Sequence, residues 1–230
     1  VAHVKTLLCL ANSKKQGGMC VAGLEIDGRA LANWIRPVSS RPSHAVSASE
    51  QTLADGSVPH VLDLIRIGLL RHTPSGYQNE NWLLDPQVQW ERRGRWSYDD
   101  VVDAVDRPPT LWANDDSSGG GLHDRVRSRD LTPFDDSLVL VAVDDATVVV
   151  RSGWDGKGDV RLRFRYRRAR YILRVTDSRY HSRYLARGVG QYGLSAGTLL
   201  TVSLAEPWVA EPGGEAYSYK VVAAIIDPEG

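Results

Sequence analysis

Cysteine is scarce in this chain. Of 230 residues only Cys9 and Cys20 carry a thiol, too few for a disulfide framework and not spaced as metal ligands. Both lie in apolar, strand-like runs, where buried reduced thiols are the usual outcome. Net charge is lacking as well: 28 basic side chains balance 28 acidic ones. The molecule is therefore no polycation that holds nucleic acid by bulk attraction, and any such role has to come from a local asymmetry. No apolar run is long enough to cross a bilayer. Lys5 and Asn12-Ser13-Lys14-Lys15 interrupt the first apolar run before it reaches the length of a secretory signal, so a soluble, cytoplasmic protein without a membrane partner is expected.

Catalytic signatures are equally sparse. Gly17-Gly18 and Gly119-Gly120-Gly121 lack the lysine and spacing of a phosphate-cradling loop. The six histidines, His3, His44, His60, His72, His123 and His181, form no pair at helical spacing, which speaks against a metal hydrolase. A Gly-x-Ser-x-Gly elbow is missing too. Asp99-Asp100, Asp115-Asp116, Asp135-Asp136 and Asp144-Asp145 have the oxygens that suit Mg²⁺, but adjacent carboxylates are more commonly solvated turn formers. No catalytic residue, metal or cofactor is assigned.

What is present in abundance is arginine, concentrated in one stretch. From Arg161 to Arg167 the residues alternate strictly: Leu162, Phe164 and Tyr166 fall on one side, and Arg161, Arg163, Arg165 and Arg167 on the other. That is the period of a half-buried strand. After a reversal at Arg168 and Ala169, Tyr171, Leu173 and Val175 resume the apolar face, with Arg170, Ile172 and Arg174 opposite. The pattern predicts a β-hairpin with guanidiniums on its outer face. Between Arg161 and Tyr184 only Asp177 is acidic. A strand that merely needs solubility usually mixes signs, although charged outer faces also serve to discourage edge pairing. Arginines at strand spacing with tyrosines nearby suit the phosphates and bases of nucleic acid.

In chain order, Val4 to Ala11, Met19 to Ile26 and Ala30 to Val38 read as strands of a meander, with Asn12 to Gly18 as a polar loop and Asp27-Gly28 as a hairpin turn. Trp34 and Arg36 share a face of the third strand, just before Pro37, and suit first a core Trp beside a snorkelling Arg, and next to that a pocket floor for a base or phosphate. A Ser- and Pro-rich loop leads to a long strand over His60 to His72. Tyr77-Gln78-Asn79-Glu80-Asn81-Trp82 carries the mixture that reads a planar polar ligand and is equally ordinary in a polar loop that tucks its Trp into the core. Ser97 to Val105 reads as a helix capped by its Ser, and the composition shifts after Pro133. Ser137 to Ala142 and Ala146 to Val150 read as paired strands turning at Asp144-Asp145, Trp154 to Asp159 as a glycine-rich turn, and Asp177 to Arg187 as a helix. Strands over Leu199 to Leu204 and Tyr217 to Ile226 complete the chain. The reading is mainly β with small helical insertions, in two domains: 1–133 with long loops, and 134–230 with the basic hairpin.

Five curled strands with a helix before the fourth is the layout of an oligonucleotide-binding (OB) barrel. Trp34-Ile35-Arg36-Pro37-Val38-Ser39, Gln78-Asn79-Glu80-Asn81-Trp82, Val175-Thr176-Asp177, Val202-Ser203-Leu204-Ala205-Glu206-Pro207 and Tyr219-Lys220-Val221-Val222-Ala223-Ala224-Ile225-Ile226 resemble segments of bacterial dual OB-containing domain proteins, over nearly the whole chain. The resemblance implies two OB-like antiparallel barrels and a nucleic-acid-binding role, with no catalytic residue to carry over. The leading expectation is a binding module for DNA or RNA, single-stranded by preference. Arg161, Arg163, Arg165, Arg167, Arg170 and Arg174 would neutralise phosphates, while Tyr166, Trp34 or Trp82 stack on bases beside Arg36. Two alternatives stand beside it. One is a nucleotide- or nucleic-acid-processing enzyme with a polar pocket between the barrels, built from Glu80, Asn81, Thr176, Asp177, Glu206 and Lys220 with Trp34 and Arg36. The other is a scaffold whose basic barrel meets an acidic protein partner.

Overall fold

The computed structural model describes residues 3–28, 30–153 and 158–229. Most of the glycine-rich turn expected at Trp154 to Asp159 lies outside them. The chain divides into two compact units, Val1–Ala104 and Val105–Gly230.

The first unit contains strands β1 (His3–Lys15), β2 (Gly18–Asp27), β3 (Ala30–Val38), β4 (Asp63–His72), β5 (Asn81–Leu84) and β6 (Glu91–Arg95), with helix α1 (Ala48–Gln51) between β3 and β4. β1 pairs with both β2 and β4, β2 with β3, β3 with β5, and β5 with β4. The ladder thus returns to its starting strand in the order 1-2-3-5-4-1, and only the β3–β5 contact is parallel. Alternate residues point inward and collect Leu7, Cys9, Val21, Ile35, Ile65 and Ile67 around the buried ring of Trp90. Gly28, at φ +63, supplies the positive torsion of the turn after β2.

The second unit contains β7 (Arg125–Arg127), β8 (Leu138–Ala142), β9 (Asp144–Ser152), β10 (Gly158–Tyr166), β11 (Ala169–Val175), helix α2 (Ser178–Arg187), β12 (Gly190–Gly193), β13 (Leu199–Leu204), β14 (Trp208–Val209) and β15 (Ala216–Ile226). From β9 the path runs β9-β10-β11-β15-β13-β8, with β12 paired to the other edge of β9. Because β8 and β9 are separated by Val143 alone, the path begins and ends on one bent strand. The order is again 1-2-3-5-4-1, with a parallel contact between the third and fifth strands, β11 and β15, and α2 before the fourth.

Several local expectations change. β1 does not end at Ala11 but continues to Lys15, because the buried Asn12 is satisfied by donating to Gln51 Oε1 (3.2 Å) and to the Pro59 carbonyl (2.8 Å). Ser97 to Val105 is not a helix. Asp100 turns back to accept from the Ser97 amide at 2.7 Å, and only a 3₁₀ turn forms at Val102–Ala104. β8 and β9 do not pair with each other: β8 pairs with β13 and β9 with β10, and Asp145, at φ +52, marks the bend rather than a hairpin turn. The expected compositional boundary at Pro133 lies downstream of the division at Ala104/Val105. Residues after that division already bond to the second unit: the Asp106 amide donates to the Leu140 carbonyl, Leu122 bridges to Ile172, and β7 pairs with β15.

Candidate nucleic-acid interface

The hairpin forms as the alternation dictates. Across β10 and β11, Arg161 stands opposite Arg174, Arg163 opposite Ile172, and Arg165 opposite Arg170. Leu162, Phe164, Tyr171 and Leu173 are buried beneath, with Phe164 and Tyr171 stacked at 5.3 Å between ring centroids. The reversal is made by Arg167 and Arg168. Arg167, at φ +53, takes the left-handed conformation that a tight hairpin turn needs, and its guanidinium donates to the Arg107 carbonyl at 2.7 Å.

The guanidiniums do not form one uniform positive track. Arg161 is held inward: its Nε donates to Asp159 at 2.6 Å, its Nη1 lies 3.7 Å from Asp124, and its side chain is only 12% exposed. Arg174 shares Asp159 at 3.4 Å. Arg163 donates to Gln191 Oε1. Arg165 meets Asp145 at 3.2 Å and Asp144 at 3.8 Å, but these aspartates are more than two-thirds exposed. Arg168 and Arg170 are exposed and make no ion pair among the described residues. The free positive charge is thus concentrated at the tip of the hairpin. Tyr166 faces inward, 6% exposed, with its hydroxyl donating to the Pro108 carbonyl at 2.7 Å; it offers no face to a base.

Of the other expected site residues, Arg36, Glu80, Asn81, Thr176, Asp177 and Lys220 are spent on contacts within one unit or the other. In the first unit Arg36 and Glu80 form an ion pair at 2.8 Å with both side chains 5% exposed. Arg36 also donates to Asn81 Oδ1 at 3.3 Å, and its amide to the Glu80 carbonyl at 2.7 Å. These contacts lock the three-residue parallel pairing of β3 and β5. Trp34 is half-buried opposite Leu24. Trp82 is half-buried too, with the rings of His3 and His72 and the Lys5 ammonium against its ring.

In the second unit the Thr176 hydroxyl donates to the Val222 carbonyl at 3.1 Å. Asp177 Oδ1 caps α2 by accepting from the Arg179 and Tyr180 amides, and its Oδ2 accepts from the Ile225 amide at 3.1 Å. Burial raises the Asp177 pKa while those three donors pull it down. Lys220 is 1% exposed and donates to the Ala113 carbonyl (2.6 Å) and Asn114 Oδ1 (3.0 Å); burial draws its pKa down to about 7 against the carboxylates of Asp124 and Asp115. Glu206 is exposed. Glu80 and Asn81 thus serve the interior of one unit, and Thr176, Asp177 and Lys220 that of the other.

A concavity of about 460 Å³ in the first unit is lined by Glu50, Thr52, Asp85 and Gln87 among others; none of the expected site residues reaches it. Among the described residues no three His, Cys, Asp or Glu side chains gather as a metal site, and no helix is long and apolar enough to cross a membrane.

Two successive ladders of the same 1-2-3-5-4-1 order agree with the family comparison, in which the model of the dual OB-containing domain matches residues 5–225. The chain belongs to the dual OB-containing domain family. No curated protein and no solved structure matches it. Within this dual OB chain the arginine hairpin is formed by the second and third strands of the second OB-like unit, and those strands are the face on which OB folds take up oligonucleotides and oligosaccharides.

One set of residues escaped the sequence reading. Trp208, 55% exposed, pairs with Tyr217 on β15, and Tyr217 and Tyr219 pair with Arg127 and Arg125 on β7. A two-residue strand has no periodicity, and Arg125 and Arg127 sit in a stretch that looks like loop. The available signal was the alternation of Tyr217 and Tyr219 with Ser218 and Lys220.

Proposed function

We propose that the protein is a nucleic-acid-binding module that contacts the phosphate backbone through the distal half of the β10–β11 hairpin, with Arg163, Arg165, Arg168 and Arg170 as the contacting side chains. The observation that carries this reading is the placement of Arg165 directly opposite Arg170. Like charges in a cross-strand pair are destabilising by a fraction of a kcal/mol, and Arg168 adds a third charge beside them. The two aspartates that meet Arg165 are exposed, and exposed ion pairs contribute little, so a phosphate displaces them at small cost. Arg161, which is largely buried with its carboxylates, stays a structural residue, and Arg174 stays tied to Asp159.

Charge presented along a pleated ribbon follows a flexible backbone, which favours single strands over duplex. The test is fluorescence anisotropy with single-stranded and duplex DNA and RNA. The expected result is binding of single strands that weakens steeply with salt. Binding that salt does not affect, or capture of an acidic protein that persists after nuclease treatment, would replace this reading with the scaffold.

A further inference from the structure

Trp208 is exposed by more than half on β14, and its neighbours place it on a defined surface. Residues directly opposite one another in a ladder point to the same side of the sheet. The pairings Trp208 with Tyr217, Tyr217 with Arg127, and Tyr219 with Arg125 therefore set all five side chains on one face. The intervening Ser218 and Lys220 point into the unit and are buried. Two residues beyond Tyr219, Val221 keeps the same parity and aligns with Arg174, which in turn stands opposite Arg161. The arginine face of the hairpin and the aromatic face around Trp208 are thus two ends of one outer surface.

Ring and ion-pair contacts tie Tyr217 to β7 at that aromatic end. The Arg125 guanidinium lies 4.0 Å from the Tyr217 ring centroid, and Asp116 accepts from Nε of both Arg125 (2.7 Å) and Arg127 (3.0 Å). Trp208 touches Tyr219 at 6.3 Å and 59°, tilted rather than stacked. With Glu206, Glu211 and Glu215 on the same loop, this end adds little net positive charge.

We infer that Trp208 is a base-stacking platform for single-stranded nucleic acid, with Tyr219 supporting the indole, and that it works together with the phosphate contacts of the hairpin. The inference rests on the function proposed above and adds to it the part that the buried Tyr166 does not supply. A large exposed indole held on an ordered ladder suits a planar, unpaired base. In a duplex that base face is covered by its neighbours. The low charge around Trp208 separates its contribution from that of the arginines: stacking changes affinity without changing the number of counterions released.

The test compares an oligothymidylate of about twelve nucleotides with an abasic strand of equal length and charge, using the wild-type chain, Trp208→Ala, Trp208→Phe and Arg165→Ala/Arg170→Ala. Thermal melts confirm that each variant folds. Trp208→Ala is expected to weaken oligothymidylate binding roughly tenfold, to leave abasic binding and the salt slope unchanged, and to be largely rescued by Phe. Equal affinities of wild type and Trp208→Ala for oligothymidylate, while the double arginine variant still weakens binding, overturn the platform alone. An equal loss on both strands also overturns it, since stacking requires a base. No binding of either strand by the wild-type chain removes the function proposed above, and the platform with it.

Discussion

Lys220 aims its ammonium at the Ala113 carbonyl, 2.6 Å away, from a side chain that water scarcely reaches. Burial lowers its folded pKa from 10.5 to about 7. Between those values the unfolded chain holds a proton that the native chain has released, so stability rises with pH across that window. Below pH 7 both states are protonated and the full penalty remains. Tyr180 acts in the opposite sense: burial raises it to about 12, so above pH 10 the unfolded chain ionises first and stability falls. Considering these two groups, stability peaks near pH 10, after a rise on the order of 2–4 kcal/mol from neutrality. Urea unfolding midpoints across pH 6.5 to 11 check the curve, and Lys220→Met flattens its rising limb.

The Arg36–Glu80 pair is structural, and its removal is expected to show in stability. Glu80→Gln leaves a buried guanidinium without its counter-charge and destabilises the first unit by about 3–5 kcal/mol. Replacing both partners, Arg36→Met with Glu80→Leu, costs less than the sum of the single changes. Denaturant melts of the three variants measure the coupling.

Gly23 marks a point where two backbones approach too closely for any side chain. It pairs with Cys9 next to a bulge in the β1–β2 ladder, and a Cβ built there would lie 2.1 Å from the Leu8 carbonyl oxygen. Gly23→Ala is expected to destabilise by about 1–3 kcal/mol, visible as a lower thermal midpoint.

Arg170 presents the opposite balance. It is exposed and faces Arg165, so Arg170→Thr removes a like-charge contact and stabilises the fold by about 0.2–1 kcal/mol. The same change is expected to weaken nucleic-acid binding. A higher melting temperature together with a lower affinity marks a residue kept for a ligand; a loss of both marks a structural one.

Much of the fold was legible because its strands obey a period of two. The alternation over 161–175 gave the two faces of the hairpin, with Ile172 on the arginine side as its position requires, although Arg167 goes into the turn and Arg161 is held by Asp159. The helix at 178–187 announced itself through Asp177. Pairing partners were less legible. Residues 138–150 look like a hairpin in sequence, yet they form one strand bent at Asp145, since nothing local distinguishes a bend from a reversal. The candidate site was legible by chemistry but not by geometry. Arg36, Glu80, Asn81, Thr176 and Asp177 stand out as polar groups in apolar surroundings, and that is what a clamp on a short parallel ladder requires as much as a pocket does. Asp159 and Asp124, which take up Arg161, lie outside the arginine run, so its local charge overstated the free charge on the surface.

The central claim is that guanidiniums at the hairpin tip neutralise phosphates, and the salt dependence of single-strand binding tests it most directly. For Arg165→Ala/Arg170→Ala the slope of log affinity against log salt is expected to fall by roughly one to one and a half relative to wild type, each lost phosphate contact contributing about 0.7. A slope identical to wild type would contradict the claim.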